Sequence, residues 1–245
     1  MSTFVLIHGG SHGAWCWYKV VPILESLGHV VVTPDLPGHG IDRTPVAGAS
    51  LSAYVDRVRS VLDPLADKAI LVGHSMGGVT VKTAAERYAD KIAGIVYVAA
   101  DVVEGGQSLA TDPALAGVFG RLGPHLSANP DDQTFDLAPA AAASFFYNDC
   151  DAADIALALR LLTPEPNATI TGLVDAPTTR YLSLPRLGVI TSEDALLPPD
   201  VQKALYRRDG ITETVTLSTG HSPFLSAPGE LAMHLLNFAA RLPWT

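Results

Sequence analysis

Cysteine is nearly absent from this chain. Cys16 and Cys150 are the only two in 245 residues, and they stand far apart in sequence. That excludes a disulfide framework, and no group of residues has the spacing of a metal-ligand set. Lysine is sparse, with five against eleven arginines, and acidic residues outnumber basic ones 25 to 16, for a formal net charge of −9. Such a balance argues against a nucleic-acid or anionic-membrane partner. No apolar run approaches the roughly 18 residues of a membrane span. The opening Thr3-Phe4-Val5-Leu6-Ile7 lacks the basic lead and the length of a secretory signal. A cytoplasmic protein is therefore expected. Gly-x-Gly-x-x-Gly and a P-loop lysine are also missing, so the small-residue stretch His8-Gly9-Gly10-Ser11-His12-Gly13 is not read as a phosphate cradle. No cofactor is expected.

What the chain has is apolar material, 48% of its residues, arranged in short runs. Phe4–Ile7, Val30–Thr33, Ala69–Val72, Gly94–Val98, Leu187–Thr191 and Thr214–Leu217 read as strands. Most are continuous rather than alternating, as parallel strands buried on both faces should be. Helical stretches fall between them, at roughly 18–27, 51–65, 76–88, 199–207 and 230–241. The alternation predicts an α/β fold with a mostly parallel, doubly wound sheet of about six strands. Residues 104–185 break the rhythm. They carry no clear buried strand, several proline steps and the helical stretch 151–162, and they are too long for a loop. The expected organisation is a core of residues 1–103 and 186–245 with a helical cap, 104–185, inserted in it. A separate second domain is the alternative.

One motif carries chemistry. Gly73-His74-Ser75-Met76-Gly77-Gly78 follows a strand-like run and leads into a helix-like one, which is the context Gly-x-Ser-x-Gly requires for a nucleophilic serine. The same pentapeptide also serves as a mere tight turn. A serine hydroxyl needs a base, and His221 stands beyond the last strand, on the carboxyl edge where open α/β sheets place their sites. Asp194, on the loop after Leu187–Thr191, is the candidate orienting acid, with Glu193 and Asp101 as rivals. The order Ser75, Asp194, His221 is the one expected for a serine hydrolase on this kind of sheet. The N–H groups of Met76 and Gly10 are candidate oxyanion donors. His12 is placed to reach the pocket mouth.

These residues together resemble the α/β-hydrolase superfamily over essentially the whole chain. The stretches Phe4–Gly10, His12–Lys19 and Leu71–Gly78 are more closely similar to the plant methylesterase and hydroxynitrile lyase group and its bacterial esterase relatives. So is the cap stretch Phe146-Tyr147-Asn148-Asp149-Cys150 with Ala153–Ala158. The resemblance implies the triad Ser75, His221 and Asp194, with Gly10 and Met76 as oxyanion donors. The lyases of that group carry a threonine and a lysine where this chain has Gly9 and Ser222, so cyanohydrin cleavage is disfavoured. Asp35-Leu36-Pro37-Gly38-His39-Gly40 is closer to general bacterial hydrolases than to the plant members.

The expected protein is a serine carboxylester hydrolase acting through an acyl-enzyme on a small or aromatic apolar ester, such as a methyl ester. Gly9, His12, Phe145, Phe146, Tyr147 and Leu159 are the candidate substrate-binding residues. A thioesterase or tailoring hydrolase with the same triad is the alternative within this chemistry. A non-catalytic ligand receptor on a hydrolase scaffold is the alternative from another class. The expected partner is a small-molecule ester, with no nucleic acid and no membrane, and an apolar cap face leaves room for a homodimer.

Overall fold

A computed structural model describes residues 1–243 of the chain. Strands β1 (Thr3–Ile7), β2 (Val30–Val32), β3 (Ala69–His74) and β4 (Ile92–Val98) precede a long excursion. Within it lie β5 (Leu126–Asn129), β6 (Thr134–Leu137) and β7 (Glu165–Pro166), and β8 (Arg186–Thr191) and β9 (Glu213–Leu217) follow it. The main sheet has the order β2-β1-β3-β4-β8-β9. Every neighbouring pair in it is parallel, with Val5 opposite Leu71 and Gly73 opposite Tyr97. Every residue of β3 and β4 is buried, so both faces of the central strands are covered and unbroken apolar runs are tolerated there. The six expected strands are all present, shifted by a residue or two at their ends.

Helices α1 (Val20–Ser26), α2 (Leu51–Leu62) and α3 (Gly77–Tyr88) alternate with the first strands. In α2 the buried residues Leu51, Tyr54, Val55, Val58 and Leu62 recur at helical spacing and form one apolar face. Its start is fixed by Ser50, whose hydroxyl accepts the Ala53 N–H at 3.2 Å. The excursion holds α4 (Ala116–Leu122), α5 (Pro139–Phe146), α6 (Ala152–Leu161), α7 (Asn167–Thr171) and α8 (Thr179–Leu182). After it come α9 (Pro199–Arg208), α10 (Pro223–Ser226) and α11 (Pro228–Arg241). Helix α11 packs on α1, and α2 on α3.

The segment expected to be purely helical also contains a sheet. Strands β5, β6 and β7 pair antiparallel, with Ser127 opposite Asp136 and Phe135 opposite Glu165. Each is four residues or fewer, with β5 and β6 partly exposed and the two residues of β7 buried, so none has the long apolar run or sustained alternation that marks a strand in sequence. This small sheet carries Leu126, Phe135, Leu137 and Glu165 to the carboxyl edge of the main sheet, where they line a cleft with residues of the core. Among the described residues no helix is long and apolar enough to cross a membrane.

Candidate active site

Ser75 sits in the turn between β3 and α3 with φ at +50°, in the left-handed region that a residue with a Cβ occupies only when its surroundings hold it there. The turn is held on several sides. The Ser75 N–H donates to the Val98 carbonyl at 3.2 Å, and its own carbonyl accepts from Gly78 at 2.9 Å and Asp101 at 3.0 Å. The helix can start so close to the sheet because Gly77 has no Cβ. One placed there would come within 2.6 Å of the His8 carbonyl oxygen.

His221 lies on the loop after β9 and is buried. Its Nδ1 donates to Asp194 Oδ2 at 2.8 Å, which leaves Nε2 as the basic nitrogen. Asp194 is held from five directions. Besides His221 it accepts the Leu196 and Leu197 N–H groups at 2.9 and 2.8 Å, the Thr191 hydroxyl at 2.9 Å and the Gln202 side-chain amide at 3.1 Å. Gln202, on α9, also donates to the Thr191 hydroxyl and to the Leu197 carbonyl, so it locks the whole acid loop. No sequence motif singles out a glutamine on that helix. Glu193 and Asp101 do not bond to His221.

Ser75, His221, Gly10 and Met76 line one cleft. The N–H groups of Gly10 and Met76 donate to no protein acceptor among the described residues. The rest of the wall is largely apolar, with Val118, Phe119 and Leu122 from α4, the side chains of the small sheet, and Phe146, Ile170, Leu196 and Leu197.

His12 also lines the cleft. Its Nδ1 donates to the Gly10 carbonyl at 2.7 Å, so its Nε2 accepts the Tyr147 hydroxyl at 2.8 Å. Burial is the main reason its pKa falls to about 4, which keeps the ring neutral. His74 is likewise buried with its pKa pushed down chiefly by burial, and its Nε2 donates to the His221 carbonyl at 2.9 Å.

Four of the candidate substrate-binding residues do not line the cleft. Gly9 lies beneath the serine, and a Cβ there would come within 2.9 Å of that of Ser75. Tyr147 is fully buried and spent on His12. Phe145 packs beside His125, with ring centroids 5.8 Å apart, and Leu159 packs half-buried against the core. Adjacent residues of a helix point about 100° apart, so Phe145 and Phe146 cannot share one wall. Ser222 is buried with no hydrogen-bond partner for its hydroxyl among the described residues.

Glu165 was not visible as a site residue, yet it lines the cleft and is almost fully buried. One oxygen accepts the Ser11 N–H at 2.6 Å, the other the Thr169 hydroxyl at 2.6 Å, and His39 Nε2 lies 3.4 Å away. Burial raises the carboxyl pKa, but His39 and these hydrogen bonds outweigh it and hold the group below its ordinary value. His39 is buried, and it also bonds Thr163 and Tyr54 at 2.7 Å each. Asp35 holds its loop in shape, accepting the Ala14 and Ile41 N–H groups. Among the described residues no cluster of three or more His, Cys, Asp or Glu side chains could hold a metal.

A family model described as the alpha/beta hydrolase family matches residues 4–234. Methylesterase 7 of Arabidopsis thaliana is 32% identical, with 96% of this chain and 95% of that protein aligned. A longer chloroplastic relative from the same plant is 33% identical over 98% of this chain, which spans 64% of the relative's length. The crystal structure of the Arabidopsis methylesterase MES16 superimposes with a TM-score of 0.87 at 27% identity, covering 98% of this chain and 99% of that one.

Proposed function

The chain belongs to the alpha/beta hydrolase family, and on that premise we propose that it is a serine carboxylester hydrolase acting on methyl esters of small or aromatic apolar acids. The reading rests on one observation above all. His221 is bonded through Nδ1 to a multiply anchored Asp194 and lines the same cleft as the strained Ser75. The similarity to methylesterases supports the ester as substrate, and the apolar wall supports an apolar acyl group.

In this mechanism the Ser75 hydroxyl attacks the ester carbonyl carbon while His221 Nε2 takes its proton. The N–H groups of Gly10 and Met76 donate to the oxyanion that forms. Collapse expels the alcohol, which leaves with the proton from Nε2. Nε2 then takes a proton from water, whose oxygen attacks the acyl carbon, and the acid departs as Ser75 regains its proton. Asp194 fixes the tautomer and stabilises the transient imidazolium.

A fluorophosphonate, which phosphonylates activated serines, tests the nucleophile. One equivalent should label the native protein and none the Ser75→Ala variant, with hydrolysis of methyl benzoate lost in parallel. An unlabelled native protein would overturn the assignment.

A further inference from the structure

Asp101 ends β4's connection into the excursion, lines the cleft beside Ser75 and His221, and is only 8% exposed. Its backbone is already engaged. The N–H donates to the Ser75 carbonyl, and the carbonyl oxygen faces Gly78, 2.5 Å from where a Cβ would stand. The atoms left to face the cleft are those of the carboxyl group. Among the described residues nothing hydrogen-bonds to that carboxyl, and His221 Nδ1, the one group it could serve in catalysis, is taken by Asp194.

Every other carboxylate around it is compensated. Asp112 pairs with Arg208 at 2.5 Å, Glu165 is bonded on both oxygens with His39 alongside, and Asp194 is bonded from five directions. No lysine or arginine lines the cleft. An unbalanced carboxyl in an apolar pocket is costly unless a ligand completes it, and binding pockets use such isolated polar groups to set orientation and choice of ligand. Burial, partly offset by His221, raises the Asp101 pKa to about 7, consistent with a carboxyl that lacks a partner.

We propose that Asp101 is a specificity-determining residue that receives a cationic, hydrogen-bond-donating nitrogen of the substrate, so that among esters of otherwise apolar acids those carrying a protonated amine are preferred. This rests on the esterase reading above for the word ester, but the recognition itself does not need turnover. The same carboxyl, with no cation to shield it, disfavours ligands bearing a carboxylate and helps to expel the acid product.

The test separates binding from chemistry. In the Ser75→Ala protein at a pH of about 8, where Asp101 is ionised and an alkylamine is still protonated, calorimetry compares benzylammonium, benzyl alcohol and benzoate. Benzylammonium should bind about tenfold or more tighter than the alcohol, the scale of a hydrogen bond to a charged group, and benzoate should bind weakest. Adding Asp101→Asn or Asp101→Leu should abolish that preference. Equal binding of amine and alcohol, or a preference that survives in both variants, would overturn the proposal. In the catalytically intact protein, the kcat/KM ratio of methyl para-(aminomethyl)benzoate to methyl para-ethylbenzoate should fall about tenfold on Asp101→Asn. Turnover of both esters without discrimination would sink Asp101 and leave the esterase standing. Amine-selective binding with turnover of neither ester would do the reverse.

Discussion

Glu165 and Ser11 are joined by a 2.6 Å hydrogen bond from the Ser11 N–H to the buried carboxylate, across 154 residues of sequence. The Ser11 carbonyl in turn accepts the Thr163 N–H at 2.9 Å, so both backbone polar groups of this residue are gripped by the excursion. Ser11 has φ at +59° and follows Gly10, one of the two candidate oxyanion donors. The position of that donor thus depends on a side chain from the far part of the chain.

Glu165→Ala should therefore lower kcat for methyl benzoate by roughly tenfold to a hundredfold, within the range seen when an oxyanion donor is misplaced. KM should change less. Glu165→Gln keeps one carbonyl oxygen for Ser11 and should recover part of the loss. Steady-state kinetics of the two variants checks this, and equal kcat in both variants and the native protein would remove the role.

Asp194→Asn should reduce kcat by about 10⁴, because an amide can no longer hold His221 in the tautomer that leaves Nε2 basic. Asp101→Asn should cost far less on a neutral ester, since His221 does not bond it. A larger loss at Asp101 in parallel assays would move the orienting acid.

Tyr147→Phe removes the donor to His12 Nε2 and strands a buried acceptor, at a cost of about 1–3 kcal/mol. Thermal unfolding should show a lower Tm. KM for an ester should rise little, because Tyr147 does not line the cleft. A large KM change with Tm unaltered would restore Tyr147 to the binding wall.

Asp101 also predicts a pH dependence of stability. Its carboxyl is raised to about 7 in the folded protein, against about 4 when unfolded. Between those values the folded state holds the extra proton, so this group's contribution falls as pH rises from about 4 to about 7 and is flat beyond. Asp101→Asn lacks that loss. Its Tm relative to native should climb across the same window, and a constant difference from pH about 4 to about 8 would show that the shift is absent.

Much of the core was legible from local pattern. Buried parallel strands such as Ala69–Val72 need unbroken apolar runs, and the turn around Ser75 needs small residues on both sides, so strand order of appearance and the serine turn show in short windows of sequence. His221 and Asp194 stand just after strands, at places a chain pattern can point to. The residues that side-chain packing had to assign were read less well. Tyr147 and Phe145 are aromatics of one cap segment, yet one is spent on His12 and the other packs beside His125. Glu165 lies in a two-residue strand with no pattern at all.

By itself, then, the sequence determined the α/β alternation, the serine turn and the chain order of the candidate base and acid, because each depends on neighbours within a few residues. Only the tertiary structure decided that His221 bonds Asp194 rather than Asp101, that Gln202 and Glu165 buttress the site, and that Asp101 faces the cleft without a partner. Those outcomes turn on hydrogen bonds between residues far apart in the chain. Which donor meets which acceptor is settled by the packing that leaves the fewest buried polar groups unpaired, and no local spacing encodes that competition.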